Sequence, residues 1–321
     1  MKFKIGTYTK KGSEGIYQAE IIDHQIQNLK CIAKVDNPTF LAESNAVLFS
    51  VVKEGTNGGI VALRQGQVIN QVVEAGAPPC YVSVDPKHHL IYSANYHGGR
   101  VNSYRFDEVN GLKDVQKISF GEGSKAHYIQ YAPSLDEVIV CDLGLDKVYF
   151  FKVVQDELIL AHTYHASSKS GPRHVVTHPT LPLVYVFTEL SSELLVIKRT
   201  SQGTELIQSI STLPQGVTTP SWGAAIRMSK DAKHIYVSNR AHDSITVFKL
   251  LGEKVEWVQN IPTYGVQPRD FNLSLDDRYL VVGNLDSDTL TLYGRHLESG
   301  ELTCLQKDVK AFEAVCILFE G

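Results

Sequence analysis

A pattern of strand-like segments repeats along the whole chain, and it restricts the fold more than any other feature of the sequence. Each unit contains an apolar, β-branched run that ends at a polar, aromatic or leucine position. These seven anchors are Tyr8, Lys53, Tyr96, Leu143, Glu189, Arg240 and Leu285. Successive anchors lie 43 to 51 residues apart, which is the spacing of β-propeller blades.

Each unit also predicts four strands. A short apolar strand such as RHVVTH precedes the anchor run, and an apolar strand such as ELLVIKR and a more polar strand such as ELIQSIS follow it. The first unit lacks the leading strand, and the C-terminal segment FEAVCILFE can supply it. Such an exchange closes the ring and removes two free strand edges.

The fold predicted from this pattern is all-β: a seven-bladed β-propeller of four-stranded blades, with the first blade closed by N- and C-terminal strands. We expect one domain over residues 1–321, because no Pro/Gly/Ser-rich linker divides the chain and no segment has a sustained helical period. An array of β-sandwiches or two β domains is the alternative, which seven near-equal periods disfavour.

Charge and hydropathy limit the partners. The formal net charge of −4 argues against nucleic acid or a membrane surface as a partner, since both attract basic proteins. No apolar run approaches the roughly 20 residues of a membrane-spanning helix. The N-terminal MKFKIGTYT lacks the apolar core of a signal peptide, so we expect a cytoplasmic protein. The five cysteines have no metal-like spacing and lie in or beside apolar runs, which predicts buried free thiols.

Five charged or titratable residues occupy equivalent positions of different units. His127, Arg173 and Arg269 begin innermost strands, whereas Glu189 and Arg240 end the strands that follow. Because antiparallel neighbours bring these two positions to one edge, the five side chains are expected at one rim of the central channel. Taken singly, each is compatible with a surface ion pair. Together, the arginines predict an anionic ligand held by forked hydrogen bonds.

Other polar signals are weaker. Loops at the same rim add Asn95, Tyr96 and His242 as candidate ligand-binding residues, although Asn, Asp and Gly are also the usual turn formers. The segment Gly121–Lys125 favours a plain turn over a phosphate cradle, since it does not match a P-loop. No histidine pair has metal-type spacing in a suitable element, so no metal site and no cofactor are predicted.

Several motifs resemble the lactonase family of seven-bladed propellers, whose best-known members are 6-phosphogluconolactonases. They are GTYT with SEGIY, ANYHGG, GPRH with the following His-Pro, Glu189, and SNRAHDSI. The resemblance covers essentially the whole chain, and the fungal carboxy-cis,cis-muconate cyclase is similar in fold. The family's suspected active-site residues match His127, Arg173, Glu189 and Arg240. The innermost strand that begins SWGAAIR lacks a charged residue at its start and departs from the pattern.

The resemblance implies hydrolysis of 6-phosphogluconolactone to 6-phosphogluconate, a step of the pentose phosphate pathway. Glu189 is the expected base, with His127 and Arg173 as further catalytic residues that stabilise the oxyanion. The expected substrate-binding residues are Arg240 and Arg269, as a phosphate clamp, together with His174, Asn95, Tyr96 and His242. The expected partner is a small anionic sugar lactone.

Two alternatives stay open. A lactonase or lactonising cyclase that acts on another carboxylated substrate would use the same arginines for carboxylates. A non-catalytic scaffold would bind a protein on its rim, although the chain lacks the periodic Trp-Asp and Gly-His dipeptides of scaffold propellers. The oligomeric state does not follow from the sequence.

Overall fold

The computed structural model describes residues 1–107 and 110–321, and the described residues form strands and turns but no helix. The first eleven strands are β1 (Lys2–Thr7), β2 (Ile16–Ile22), β3 (Gln25–Ala33), β4 (Leu41–Ser44), β5 (Val47–Glu54), β6 (Asn57–Arg64), β7 (Gln67–Ala75), β8 (Tyr81–Asp85), β9 (Leu90–Asn95), β10 (Arg100–Asp107) and β11 (Gly111–Ser119). The next eight are β12 (Ala126–Ala132), β13 (Glu137–Asp142), β14 (Lys147–Val154), β15 (Glu157–His165), β16 (Pro172–Thr177), β17 (Leu183–Thr188), β18 (Glu193–Thr200) and β19 (Gly203–Ser211). The last nine are β20 (Trp222–Met228), β21 (His234–Arg240), β22 (Ser244–Leu251), β23 (Lys254–Pro262), β24 (Pro268–Leu273), β25 (Tyr279–Asn284), β26 (Thr289–Arg295), β27 (Leu302–Lys310) and β28 (Ala314–Phe319).

These strands form seven antiparallel sheets of four strands, which are the blades of a seven-bladed β-propeller. Blade 1 has the order β28-β1-β2-β3, and blades 2 to 7 each take four consecutive strands, beginning at β4, β8, β12, β16, β20 and β24. The first strand of each blade contacts its counterparts in neighbouring blades, so these seven strands line the central channel. The predicted fold is confirmed.

Ring closure by the two termini is also confirmed. Strand β1 pairs with β28, with Phe3 opposite Phe319 and Ile5 opposite Ile317. The rings of Phe3 and Phe319 lie 5.3 Å apart between centroids. This pairing covers the edge of β1 that would otherwise expose unpaired backbone groups.

The core lies between the blades, where the alternating inward residues of facing sheets pack together. Four fully buried tyrosines in blades 3, 5, 6 and 7 are among its largest side chains: Tyr92, Tyr185, Tyr236 and Tyr293. All five cysteines are free thiols, and Cys141 and Cys316 are buried as expected. The expectation is wrong for Cys31, which is exposed because it lies on the outermost strand of blade 1, where the sheet has no further neighbour. Cys80 and Cys304 are only partly buried.

Candidate functional site

A β-bulge places each of the three residues predicted at the start of an innermost strand. The pairing register shifts around His127 in β12, around Arg173 in β16 and around Arg269 in β24. In each case the strand gains one residue that has no partner on the neighbouring strand. A bulge turns such a residue away from the alternation of the sheet, and bulges recur beside active sites for this reason. All three side chains line a cavity at this end of the channel.

Glu189 joins the cluster from the end of β17. Its backbone N–H donates to Gly171 O at 2.7 Å, and its carbonyl accepts from Gly223 N at 2.9 Å, which fixes the residue between blades 5 and 6. Its Oε2 lies 2.9 Å from Arg173 Nε and 2.8 Å from Arg240 Nη2. Its Oε1 accepts no hydrogen bond from the described residues, and Glu189 borders the open funnel.

The two arginines are fixed further by the backbone of blade 6. Arg173 Nη1 donates to Ala224 O at 2.5 Å, and Arg240 Nη2 donates to Gly223 O at 3.0 Å. The Arg173 Nε–H is not directed at the Glu189 oxygen, so this contact is an ion pair without hydrogen-bond geometry. The strand that begins SWGAAIR therefore contributes two carbonyl oxygens where other blades contribute charged side chains. Trp222 at its start is exposed.

The cluster carries an excess of positive charge. Three arginines and one glutamate give a formal charge of +2. Burial, followed by the charges of Arg269 and Arg240, lowers the pKa of Arg173 to about 9. Burial and Arg269 likewise lower the pKa of Arg240, and Glu189 opposes that shift. The site therefore favours a bound anion, which would offset this charge.

Two histidines beside the arginines are neutral. Burial, followed by the charges of neighbouring arginines, holds the pKa of His127 and that of His174 well below the ordinary value. Their rings lie 5.1 Å apart between centroids, and the Nδ1 atoms of both are buried without a hydrogen-bond partner among the described residues. Arg173 Nη1 lies 3.4 Å from His174 Nε2, which favours the His174 tautomer with its proton on Nδ1. A neutral imidazole can accept or donate a proton but adds no charge.

The space around these residues forms two connected compartments. The first, which we call the inner cavity, has a volume of about 30 Å³ and is bordered by His127, Arg173 and His174. The second, the outer funnel, is open to solvent with a volume of about 730 Å³, and Lys10, Lys53, Tyr96 and Glu189 lie in its wall. Five residues border both compartments: Tyr8, Thr39, Cys80, His127 and Arg269.

A separate cavity of about 520 Å³ lies further along the innermost strands, with Tyr131, Arg227 and Asn272 in its wall. Arg227 pairs with Asp270 at 2.8 Å, and Asp270 borders the inner cavity. None of the residues predicted for the site lines this third cavity.

Some predicted residues do not join the cluster. The Asn95 amide donates to Ala77 O at 2.8 Å and accepts from Gly98 N at 2.7 Å, so it holds a turn. The His242 ring is bonded to Ser244 Oγ at 2.8 Å and borders neither compartment. Tyr96 does lie in the funnel wall, with its ring 5.9 Å from that of His127.

The loop Gly121–Lys125, which precedes β12, is held by the carboxylate of Asp142 at the end of β13. Asp142 accepts from Ser124 Oγ at 2.5 Å and from Lys125 N at 2.9 Å. The carboxylate occupies the position where a phosphate would have to bind these donors. The interpretation of this loop as a turn fits its structure.

Three residues that the structure brings to the site have no role predicted from the sequence. Tyr8 and Lys53 occupy the same anchor position as Glu189, so the repeat itself was the available signal. Cys80 precedes β8 and has no such signal. Burial raises the pKa of the Cys80 thiol to about 11, so it is protonated at neutral pH. Among the described residues no group of three His, Cys, Asp or Glu side chains has a metal-binding arrangement, and no described helix is suited to crossing a bilayer.

Comparison with known proteins assigns the family. The family model described as "Lactonase, 7-bladed beta-propeller" matches residues 2–319. The chain belongs to this lactonase family. The 6-phosphogluconolactonase of Bacillus subtilis strain 168 is 33% identical to the chain, and the match covers 98% of this chain and 97% of that protein.

Solved structures agree with the family. The crystal structure of a protein from Lactobacillus plantarum is 36% identical, with a TM-score of 0.95, and the match covers 99% of this chain and 98% of that one. The periplasmic gluconolactonase of Pseudomonas aeruginosa is 24% identical, with a TM-score of 0.90 and 98% of each chain covered, which shows the same fold. Family membership supports lactone hydrolysis as the class of reaction.

Proposed function

We propose that this protein hydrolyses 6-phosphogluconolactone to 6-phosphogluconate at the junction of the inner cavity and the outer funnel. The observation that carries the proposal is the state of Glu189. One of its carboxylate oxygens holds two arginines, the other accepts no hydrogen bond from the described residues, and the residue borders the open funnel. The similarity to the Bacillus subtilis 6-phosphogluconolactonase supports the same substrate.

In the proposed reaction, water adds to the ring ester of the lactone. Glu189 Oε1 accepts a proton from the water as its oxygen attacks the carbonyl carbon. The tetrahedral intermediate then breaks the bond between that carbon and the ring oxygen. The proton held by Glu189 passes to the ring oxygen, and the new carboxylic acid ionises to a carboxylate.

The surrounding groups stabilise the charge that develops. The carbonyl oxygen becomes an oxyanion, and Arg269 together with the buried histidines borders the space next to it. Arg173 and Arg240 hold the base in place through Oε2. Preorganised donors of this kind commonly change a rate by about 10²- to 10³-fold each. The lactone also hydrolyses spontaneously, so positioning and general-base help would be enough for a measurable acceleration.

The structure also bears on the alternatives. The scaffold hypothesis would be favoured if the five rim residues pointed away from one another, whereas all five lie at one end of the channel and Glu189 pairs with two of them. A carboxylated lactone still fits a cationic funnel. The pathway assignment and the cytoplasmic location stay predictions.

The test is the rate of lactone disappearance with purified protein, measured against the uncatalysed background. We expect acceleration that is proportional to protein concentration and is inhibited by 6-phosphogluconate more strongly than by simple dicarboxylates. Stronger inhibition by dicarboxylates would favour the carboxylated substrate. No acceleration of any lactone would contradict the proposal.

A further inference from the structure

The inner cavity is much the smaller of the two compartments. Its volume of about 30 Å³, against about 730 Å³ for the outer funnel, suits the carbonyl end of a lactone better than the sugar with its phosphate. His127 and His174, which border this cavity, are 4% and 3% exposed, and each keeps a buried Nδ1 without a partner among the described residues. A ligand oxygen that enters this cavity can hydrogen-bond to these Nδ1 atoms.

The outer funnel, by contrast, has room for a sugar and a phosphate. Its volume of about 730 Å³ lies in the range of small-molecule sites. Lys10 and Lys53 lie in its wall, and the sole carboxylate among its described lining residues is Glu189. Since Glu189 is already paired with two arginines, it does not neutralise these lysines.

Neither lysine is paired with an acid in the part of the chain that the structure describes. Lys10 Nζ lies 4.6 Å from the centre of the Tyr8 ring, and the side chain of Lys53 has no hydrogen-bond or ion-pair partner in residues 1–107 or 110–321. Acidic residues near these lysines have other partners. Glu54 accepts from Gln71 Nε2 at 3.0 Å, and Asp36 accepts from the hydroxyl of Thr9. Glu313 accepts from the backbone N–H groups of Lys10 and Lys11.

The arginines are less suited to hold the phosphate. Arg173 and Arg240 are committed to Glu189 and to backbone carbonyls of blade 6. Arg269 has no such partner among the described residues, but it borders both compartments and so lies at their junction, next to the reacting carbonyl. The predicted phosphate clamp of Arg240 and Arg269 thus has only one free member.

We propose that the lactone binds with its carbonyl end toward the inner cavity and its phosphate at Lys53 and Lys10, which makes these two lysines the determinants of preference for a phosphorylated lactone. This inference rests on the proposed function of the same site. It adds the direction in which the substrate lies and the residues that select it. A lysine held close to the phosphate contributes a charge-assisted hydrogen bond.

The test compares two substrates in matched variants. Lys53→Met removes the charge and keeps most of the chain length, Lys53→Arg restores a charge, and Lys254→Met removes an equivalent charge on the outer strand β23, away from the funnel. We expect Lys53→Met to lower kcat/KM for 6-phosphogluconolactone by about tenfold or more, and to change kcat/KM for unphosphorylated gluconolactone by less than about twofold. Lys53→Arg should recover most of the loss, and Lys254→Met should have no effect. An equal loss with both lactones, or no loss with either, overturns the inference.

A binding measurement separates this inference from the proposed function. Calorimetric titration with 6-phosphogluconate and with gluconate needs no turnover. If the wild-type protein accelerates neither lactone, the proposed function fails, and the titrations decide the inference alone. Weaker binding of 6-phosphogluconate by Lys53→Met, with gluconate binding unchanged, supports it. The same affinity in both proteins, or no binding of 6-phosphogluconate, overturns it.

Discussion

Replacing Glu189 by glutamine separates the two functions that we assign to this side chain. The substitution keeps its size and shape and removes its charge and its ability to take a proton. General-base catalysis typically contributes about 10²- to 10⁴-fold to a rate, so we expect kcat for lactone hydrolysis to fall by at least about a hundredfold. The two arginines on Oε2, at 2.9 and 2.8 Å, would still contact the amide oxygen.

The same substitution should tighten the binding of anions. Three arginines and one glutamate carry a formal +2, which becomes +3 in Glu189→Gln. A unit charge about 8 Å from the phosphate of the ligand contributes about 2 kcal/mol at an effective dielectric constant of about 20, and the nearer carboxylate adds to this repulsion. Removing that repulsion corresponds to about a thirtyfold lower Kd, and less at high salt because exposed charges are screened.

The assay measures both quantities on one protein preparation. Initial rates of lactone disappearance above background give kcat, and titration with 6-phosphogluconate gives Kd. Glu193→Gln is the matched control, since Glu193 lies four residues along the chain and bonds Ser209 Oγ outside the funnel. Unchanged turnover in Glu189→Gln would remove Glu189 from the mechanism and leave His127 as the candidate base. Weaker product binding would contradict the charge argument.

Three further predictions concern the supports of the site. Arg173→Lys should lower kcat by about a hundredfold, since an ammonium group cannot contact Glu189 and the Ala224 carbonyl in the same fork; kinetics at equal Tm would show it, and unchanged kcat would contradict it. The pKa of His127 lies well below its ordinary 6.5 in the folded protein, so the unfolded state binds the proton first and stability should fall as pH falls below 6.5. Thermal unfolding between about pH 7 and pH 5 should show a shallower decline in His127→Gln than in the wild type, and equal declines would refute this. Glu313→Ala should lower the free energy of unfolding by about 1–3 kcal/mol, because the carboxylate accepts hydrogen bonds from backbone N–H groups of the N-terminal loop; urea denaturation would measure it, and an unchanged midpoint would contradict it.

The fold could be predicted from the sequence because every blade of a propeller has the same pattern of strands. Seven units place the same kind of strand at the same spacing, so an error in one unit is corrected by the others. The first unit lacks one strand and the C-terminal segment has no unit of its own, which predicted that the two pair. The pairing of Phe3 with Phe319 confirms this prediction.

The site could be predicted only to the level of strand ends. Counting along the repeat brought Glu189, Arg173 and Arg240 to one rim, and the structure pairs them. The bulges at His127, Arg173 and Arg269 give no signal in the sequence, yet they decide which side chains face the cavity. Alternation along a strand cannot locate a residue that interrupts the alternation.

Other features depend on contacts between blades that no local pattern records. The Asn95 side chain hydrogen-bonds to backbone groups of Ala77 and Gly98, so it stabilises a turn, although asparagine is also a residue type suited to ligand binding. The backbone carbonyls of Gly223 and Ala224 accept hydrogen bonds from Arg240 and Arg173. Because every residue has a backbone carbonyl, the sequence gives no signal for these contacts. Cys80 reaches the site from a position before β8 that the repeat does not mark.

A crystal structure of the Glu189→Gln protein with bound 6-phosphogluconate tests the central claim most directly. The account predicts electron density for the product at the junction of the two compartments. Its carboxylate should lie toward His127, within hydrogen-bond distance of the substituted side chain, and its phosphate in the outer funnel beside Lys53. Product bound only in the cavity of Arg227 and Tyr131, or no binding in the funnel at product concentrations that saturate the protein in solution, would contradict it.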